Sequence, residues 1–309
     1  MGTEPFHLSK DGSLTVPLHV VRMPNGRLPV PNRTKELLLE IGTNAFDTWD
    51  QQLLPKRPGA FLVAFEPLVD KWSLLLARHA RARVVGELGW HHARGIILPF
   101  AVSDRSGVVP FYVSPRDGCS SLRKTHRPER GGWKTNGFVR NACAKTVEVR
   151  HVPAITLRTV LSEWLPGWRI AKLKIDAQGS DLGVLAAAGK ELLRRVDEVS
   201  MEALSDDCDG LYEGQPNCST IVRSMGTLGF RAQGAFRCGD PRFFRQGSGC
   251  EANAVFDNVD QPGSGSGAAH SAPMRTPSGK GRGSGRGRGA RSAGRAALAS
   301  AKVAGAGDV

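Results

Sequence analysis

The chain has 309 residues, 40% of them hydrophobic, enough apolar material for the core of an enzyme-sized unit. Its net charge of +13 is unevenly placed: residues 261–309 hold eight Lys or Arg against one acid, Asp308, and so carry +7, leaving a mildly basic body of +6. The charge therefore does not point to a nucleic-acid partner, and no apolar run approaches the ~18 residues of a membrane span.

Residues 1–30 mix Pro, Gly and His with short apolar pieces and read as an extension without chemistry. Regular patterning begins at Lys35. Leu37 to Ile41, broken only by Glu40, and Phe61 to Phe65 are short apolar runs, the mark of strands buried on both faces of a parallel sheet. Trp72, Leu75, Leu76 and His79 recur at helical spacing and predict a helix over Val69 to Ala80. This β-α-β-α opening is that of a doubly wound domain.

Ile96 to Val102 and Val108 to Val113, separated by Ser103-Asp104-Arg105-Ser106-Gly107, predict strand, turn, strand: a hairpin. Residues 115–145 are polar, basic and long for a silent connection, so they read as a substrate-facing loop or a disordered one. A strand over Thr146 to Val152, a helix over Thr156 to Trp164 and a strand over Ile170 to Ile175 follow. Ser180 to Ala188 predicts a helix stopped by Gly189, and Val196 to Glu202 a fifth parallel strand. Thr220 to Leu228 reads as a helix closed by Gly229, and Phe230 to Arg237 with Ala252 to Phe256 as a terminal antiparallel pair. The expected fold is a seven-stranded, mostly parallel α/β sheet with helices on both faces, spanning residues 31–259. From residue 260 the composition turns to Gly, Ser, Ala and Arg without aromatics, which predicts a disordered tail.

The six cysteines show no Cys-x-x-Cys pair and no His at finger-like spacing, so no metal site is expected, and they read as buried or idle thiols. Met1 to His7 lacks the basic start and apolar run of a secretory signal. The expectation is accordingly a soluble, cytoplasmic protein; its oligomeric state is not legible. His91 and His92 read as surface histidines, and Asp206-Asp207-Cys208-Asp209 as a solvated loop without calcium-loop spacing.

Doubly wound domains that bind an adenosine-bearing cofactor place a glycine turn after the first strand and an acid at the end of the second, where it can grip ribose hydroxyls. Glu40-Ile41-Gly42-Thr43-Asn44 and Glu66 fill these positions. The five ordered segments Glu40-Ile41-Gly42-Thr43-Asn44, Ala64-Phe65-Glu66-Pro67, Ala101 to Gly107, Ser120-Ser121-Leu122 and Leu173-Lys174-Ile175-Asp176-Ala177-Gln178-Gly179 together resemble the motifs of FkbM-type methyltransferases. The resemblance spans residues 35–256. It implies a class I, Rossmann-like methyltransferase fold, S-adenosylmethionine as cofactor, held by Glu40, Gly42, Asn44, Glu66, Ser103 and Asp104, and a hydroxyl-bearing small-molecule acceptor.

Three positions depart from the family pattern. Phe46 stands where a second Gly is usual, Gln178 replaces a Glu, and Asp181 replaces a Glu two residues beyond Gly179. Asp176, at a strand's carboxyl end, reads as general base or acceptor-orienting group, or else as N-cap of the helix near Ser180; Glu202 reads as a second catalytic candidate or a solvated strand end. Two other functions stay open: a degenerate binding module in which Phe46 blocks the cofactor, and an RNA-binding protein using Gly281 to Gly289.

Overall fold

The apolar runs become the strands of one sheet in the computed structural model, which describes residues 7–8, 14–15, 23–44, 49–80, 94–129, 136, 139–234, 236–244 and 249–260. Near the N-terminus β1 (His7–Leu8) and β2 (Leu14–Thr15) pair with each other, antiparallel. β3 (Glu36–Ile41) and β4 (Ala60–Phe65) then lie parallel, with the short helix α1 (Trp49–Gln52) between them in sequence. The helix α2 (Val69–Ala80) forms over the predicted span and leads to β5 (Gly95–Leu98), which adds to the free side of β4.

The hairpin expected next is corrected. Ile96 to Val102 is not one strand, because Pro99 has no N–H to give a neighbour and the Phe100 N–H turns back to the Leu98 carbonyl at 2.9 Å. The chain leaves the main sheet there. β6 (Ala101–Ser103) and β7 (Gly107–Val113) flank a distant strand, β8 (Glu148–Thr156), parallel and antiparallel respectively, in a separate three-stranded sheet. The predicted turn exists, but a third strand stands between its arms.

After β8 the Thr156 hydroxyl accepts the Thr159 N–H at 3.1 Å and starts α3 (Leu157–Thr159), which continues as a wider π-helical turn over Val160–Trp164. β9 (Ile170–Ile175), α4 (Asp181–Ala188), α5 (Lys190–Leu193) and β10 (Val196–Leu204) follow. The Asn217 side chain accepts the Thr220 N–H and caps α6 (Cys218–Leu228), which Gly229 ends in the left-handed region at φ +93°. β11 (Phe230–Ala232) and β12 (Glu251–Asn258) close the chain's order of elements.

The main sheet runs β11-β12-β10-β9-β3-β4-β5, and β12 alone lies against the common direction. It is thus a mixed seven-stranded sheet. Alternation of side chains gives it two buried faces. Leu37, Leu39, Phe61 and Val63 pack with Leu161, Leu185 of α4 and Ile221 of α6, whereas Leu38, Leu62 and Ala64 pack with Trp72 and Leu75 of α2. Helices therefore cover both sides. Among the described residues no helix is long and apolar enough to cross a membrane.

The idle-thiol expectation is overturned: all six cysteines are paired, as Cys119–Cys143, Cys208–Cys250 and Cys218–Cys238. The partners stand 24, 42 and 20 residues apart, separations that carry no local signal and are closed only by the folded chain. Phe46, His91, His92 and residues 261–309, with their predicted disorder and Arg-Gly segment, lie outside the described residues.

Candidate functional site

β3 and β9 are neighbours, yet the chain passes from β3 to β4 on one side and reaches β9 only later on the other, so their carboxyl ends form a switch point where open sheets bind ligands. A cleft opens there. Its floor is Ile41, Gly42, Asn44, Asp176, Ala177 and Gln178; Glu66 and Lys71 stand at one side; Phe100, Val102, Phe111 and Leu122 form an apolar wall.

Gly42 is required twice over. Its φ is +77°, and a Cβ built on it would lie 2.0 Å from the Asp176 carbonyl oxygen. The two turns are tied back to back, since the Asp176 N–H donates to the Ile41 carbonyl at 2.9 Å and the Gly42 N–H to the Phe65 carbonyl at 3.1 Å. Asn44, at φ +52°, aims its N–H at Glu66 Oε2, 2.7 Å away, while the Leu68 N–H donates to Glu66 Oε1 at 2.9 Å. Each Glu66 oxygen keeps acceptor capacity, because a carboxylate offers about four lone-pair sites. Burial outweighs these two hydrogen bonds and nearby Lys71, pushing the Glu66 carboxyl up to about 7.

Glu40 is placed elsewhere. The period of two turns its side chain to the α1 and α2 face of β3, fully buried, where it accepts the Trp49 N–H at 2.9 Å and Lys174 Nζ at 3.2 Å. It is absent from the cleft lining. Burial raises it to about 7 despite Lys174. Ser103 and Asp104 also miss this cleft: they border an adjoining hollow with Arg105, Arg123, Ser180 and Gly183, and the Ser103 hydroxyl donates to Asp104 Oδ1 at 3.0 Å.

The N-cap alternative for Asp176 is overturned. The helix begins after Ser180 without a side-chain cap, and Asp181, its first residue, closes the preceding turn by accepting the Ala177 and Gly179 N–H groups at 3.0 and 3.1 Å. The Asp176 carboxylate instead meets the Gln178 amide, Nε2 to Oδ1 2.7 Å, and Lys174, Nζ to Oδ2 3.8 Å. Glu202 comes to the same group, 3.4 Å from Gln178 Nε2, but does not line the cleft. Burial, then the charges of Glu251, Asp176 and Asp181, raise the Glu202 carboxyl well above its ordinary range.

Ser120-Ser121-Leu122 was marked in the sequence only as a family-like segment, and its contacts were not legible there. The Ser121 hydroxyl donates to the Gln178 carbonyl at 2.7 Å and accepts the Arg123 N–H, fastening the loop after Cys119 to the Asp176 turn. That loop lines the cleft through Gly118, Ser120 and Leu122, so part of the 115–145 segment is ordered against it. Its basic residue Arg123 serves structure, donating to Ser180 Oγ and the Glu213 carbonyl. Asp206 and Asp209 likewise hold backbone, of Ser219 and Glu129.

Four carboxyls, those of the buried Glu40, Glu66 and Asp181 and of the half-buried Glu251, are raised to about 7, in each case chiefly by loss of water around the group. The folded chain therefore binds more protons than the unfolded one between the ordinary carboxyl range and pH 7. Stability from these groups is full below about pH 4 and is lost as pH rises through 7. The ligand-free protein is expected to melt at a higher temperature at pH 6 than at pH 8; calorimetry showing the reverse order would contradict these protonation states.

Against family models, residues 40–231 match the methyltransferase FkbM domain. No curated protein matches the chain.

Proposed function

The chain belongs to the FkbM methyltransferase family, and on that premise we propose that it transfers the methyl group of S-adenosylmethionine to a hydroxyl oxygen of a sugar or other small molecule. The observation that carries the reading is one cleft holding both a ribose-type acid, Glu66, and a second carboxylate, Asp176, at neighbouring strand ends.

The residues suit the cofactor. Glu66 retains lone pairs for two hydroxyls, Gly42 presents bare backbone, and Phe100, Val102 and Phe111 offer apolar surface for a flat heterocycle. S-adenosylmethionine supplies, when bound, an electrophilic methyl on a sulfonium centre. The protein's part is alignment and exclusion of water, for which effective molarities of ~10⁵ M or more are attainable. Asp176 orients the acceptor hydroxyl and receives its proton as the oxygen gains the methyl. The Gln178 amide, as donor, and the positive charge of Lys174 hold that carboxylate in place.

Titration calorimetry with S-adenosylmethionine tests the cofactor half: a folded sample that releases no binding heat and shows no competition by the demethylated product sinks the proposal. Methyl-labelled cofactor with metabolite extracts tests the acceptor half, with label expected on an oxygen.

The cysteine pairing bears on compartment. Three disulfides persist where thiols are oxidised, so they favour an oxidising compartment over the cytoplasm. Protein alkylated under denaturing conditions without reductant should yield no free thiol. Six labelled cysteines would return the cytoplasmic reading.

A further inference from the structure

Tyr212 lies in the segment between β10 and α6, 1% exposed. Its ring lies against the turn that carries the acceptor-side residues: a Cβ on Gly179 would stand 2.7 Å from Tyr212 Cδ2, so only glycine lets the ring approach this closely. Its hydroxyl is 2.6 Å from Gln178 Oε1 and 3.1 Å from the Cys119 carbonyl oxygen. One phenol thus touches two parts of the cleft lining, the Asp176–Gly179 turn at its floor and the loop that presents Gly118 and Ser120.

These contacts decide how the Gln178 amide points. A carboxamide has one acceptor atom and one donor nitrogen. The phenol O–H occupies the oxygen, and the nitrogen faces Asp176 Oδ1 at 2.7 Å and Glu202 Oε2 at 3.4 Å. The reversed amide would set its oxygen against two carboxylates and is disfavoured by like-sign repulsion. A Glu at this position would put a third carboxylate there and supply no N–H. Burial pushes the Tyr212 hydroxyl well above its ordinary range, so it stays a neutral donor.

Two disulfides frame the tyrosine. Cys143 and the pair Cys208 and Cys250 pack in one small core with Leu204, Leu211 and Tyr212, with Cys119 against it. The ring is therefore held by covalently closed loops on both sides.

We propose that Tyr212 is a positioning residue for methyl transfer: by fixing the Gln178 amide it sets the orientation of the Asp176 carboxylate toward the acceptor. This rests on the reading that Asp176 handles the acceptor hydroxyl, and its test is chosen to fail separately from that reading.

The experiment compares wild type with Tyr212→Phe, which keeps the ring and removes one O–H. In protein labelled with ¹⁵N-glutamine, the Gln178 side-chain NH₂ signals, assigned by their loss in Gln178→Ala, are expected to exchange with solvent at least about tenfold faster in Tyr212→Phe. Affinity for S-adenosylmethionine should stay within about threefold, because Tyr212 does not line the cleft. Turnover with labelled cofactor and extract should fall about tenfold to a hundredfold, the cofactor KM being kept and the acid limb of the pH profile displaced. Unchanged amide exchange overturns the proposal, and so does lost amide protection with wild-type turnover and pH profile. If wild type binds no cofactor, the functional reading falls while amide exchange still decides whether Tyr212 fixes Gln178. If Tyr212→Phe fails to fold, Gln178→Glu, which leaves the tyrosine in place, is the second variant: turnover and pH profile equal to wild type overturn the proposal.

Discussion

Replacing Gly42 with alanine should cost at least about 3 kcal/mol of stability and abolish cofactor binding. Two effects add. The backbone stands at φ +77°, where an L side chain is strained, and the new Cβ would sit 2.0 Å from the Asp176 carbonyl oxygen, with its carbon at 2.8 Å. Backbone cannot rotate away as a side chain can, so β3 and β9 must separate at the floor of the cleft. Gly26→Ala is the control: φ there is +72° but nothing stands within 4 Å of the added Cβ, so it pays only the conformational strain, about 1 kcal/mol. Thermal melts should show Gly42→Ala lowered by on the order of 10 °C and Gly26→Ala by a few degrees. Equal shifts would mean that the β3 and β9 turns are not in contact.

Glu66→Gln is expected to weaken S-adenosylmethionine binding by about tenfold to a hundredfold, corresponding to ~1.4–2.8 kcal/mol. The variant keeps shape and loses charge. Its single carboxamide oxygen cannot serve both the Asn44 and Leu68 N–H groups and still receive ribose hydroxyls. A pH signature accompanies the loss. Because burial raises the Glu66 carboxyl to about 7, wild-type affinity should fall as pH drops below 7, and the Gln variant should lose that dependence. Calorimetric titrations at pH 6 and 8 on both proteins check it; a Glu66→Gln protein with wild-type affinity at pH 8 would remove Glu66 from the cofactor site.

Much of the frame was legible because it is encoded in adjacent residues. Short apolar runs marked β3 and β4, an apolar stretch interrupted by Lys172 and Lys174 marked β9, helical spacing of Trp72, Leu75 and Leu76 marked α2, and Gly189 and Gly229 marked the ends of α4 and α6. Gly42, Asn44, Glu66 and Asp176 do meet in one cleft. Glu40 does not, and the alternation that puts Ile41 into the cleft lining turns its neighbour away. Asp181, noted only as a departure from the family pattern, is the residue that closes the Asp176 turn.

By itself, then, the sequence determined most of the α/β order, the ends of α4 and α6 and the strand ends where the cleft-lining residues gather, since run length, periodicity and φ preference act between near neighbours. The tertiary structure alone decided the entry of β8 between β6 and β7, the three disulfides, and the path from Cys119 through Tyr212 and Gln178 to Asp176 and Glu202. Tyr212 and Gln178 are 34 residues apart and Tyr212 and Cys119 are 93 apart. No local pattern records such a pairing, because its energy exists only when the whole chain brings the partners within hydrogen-bond reach.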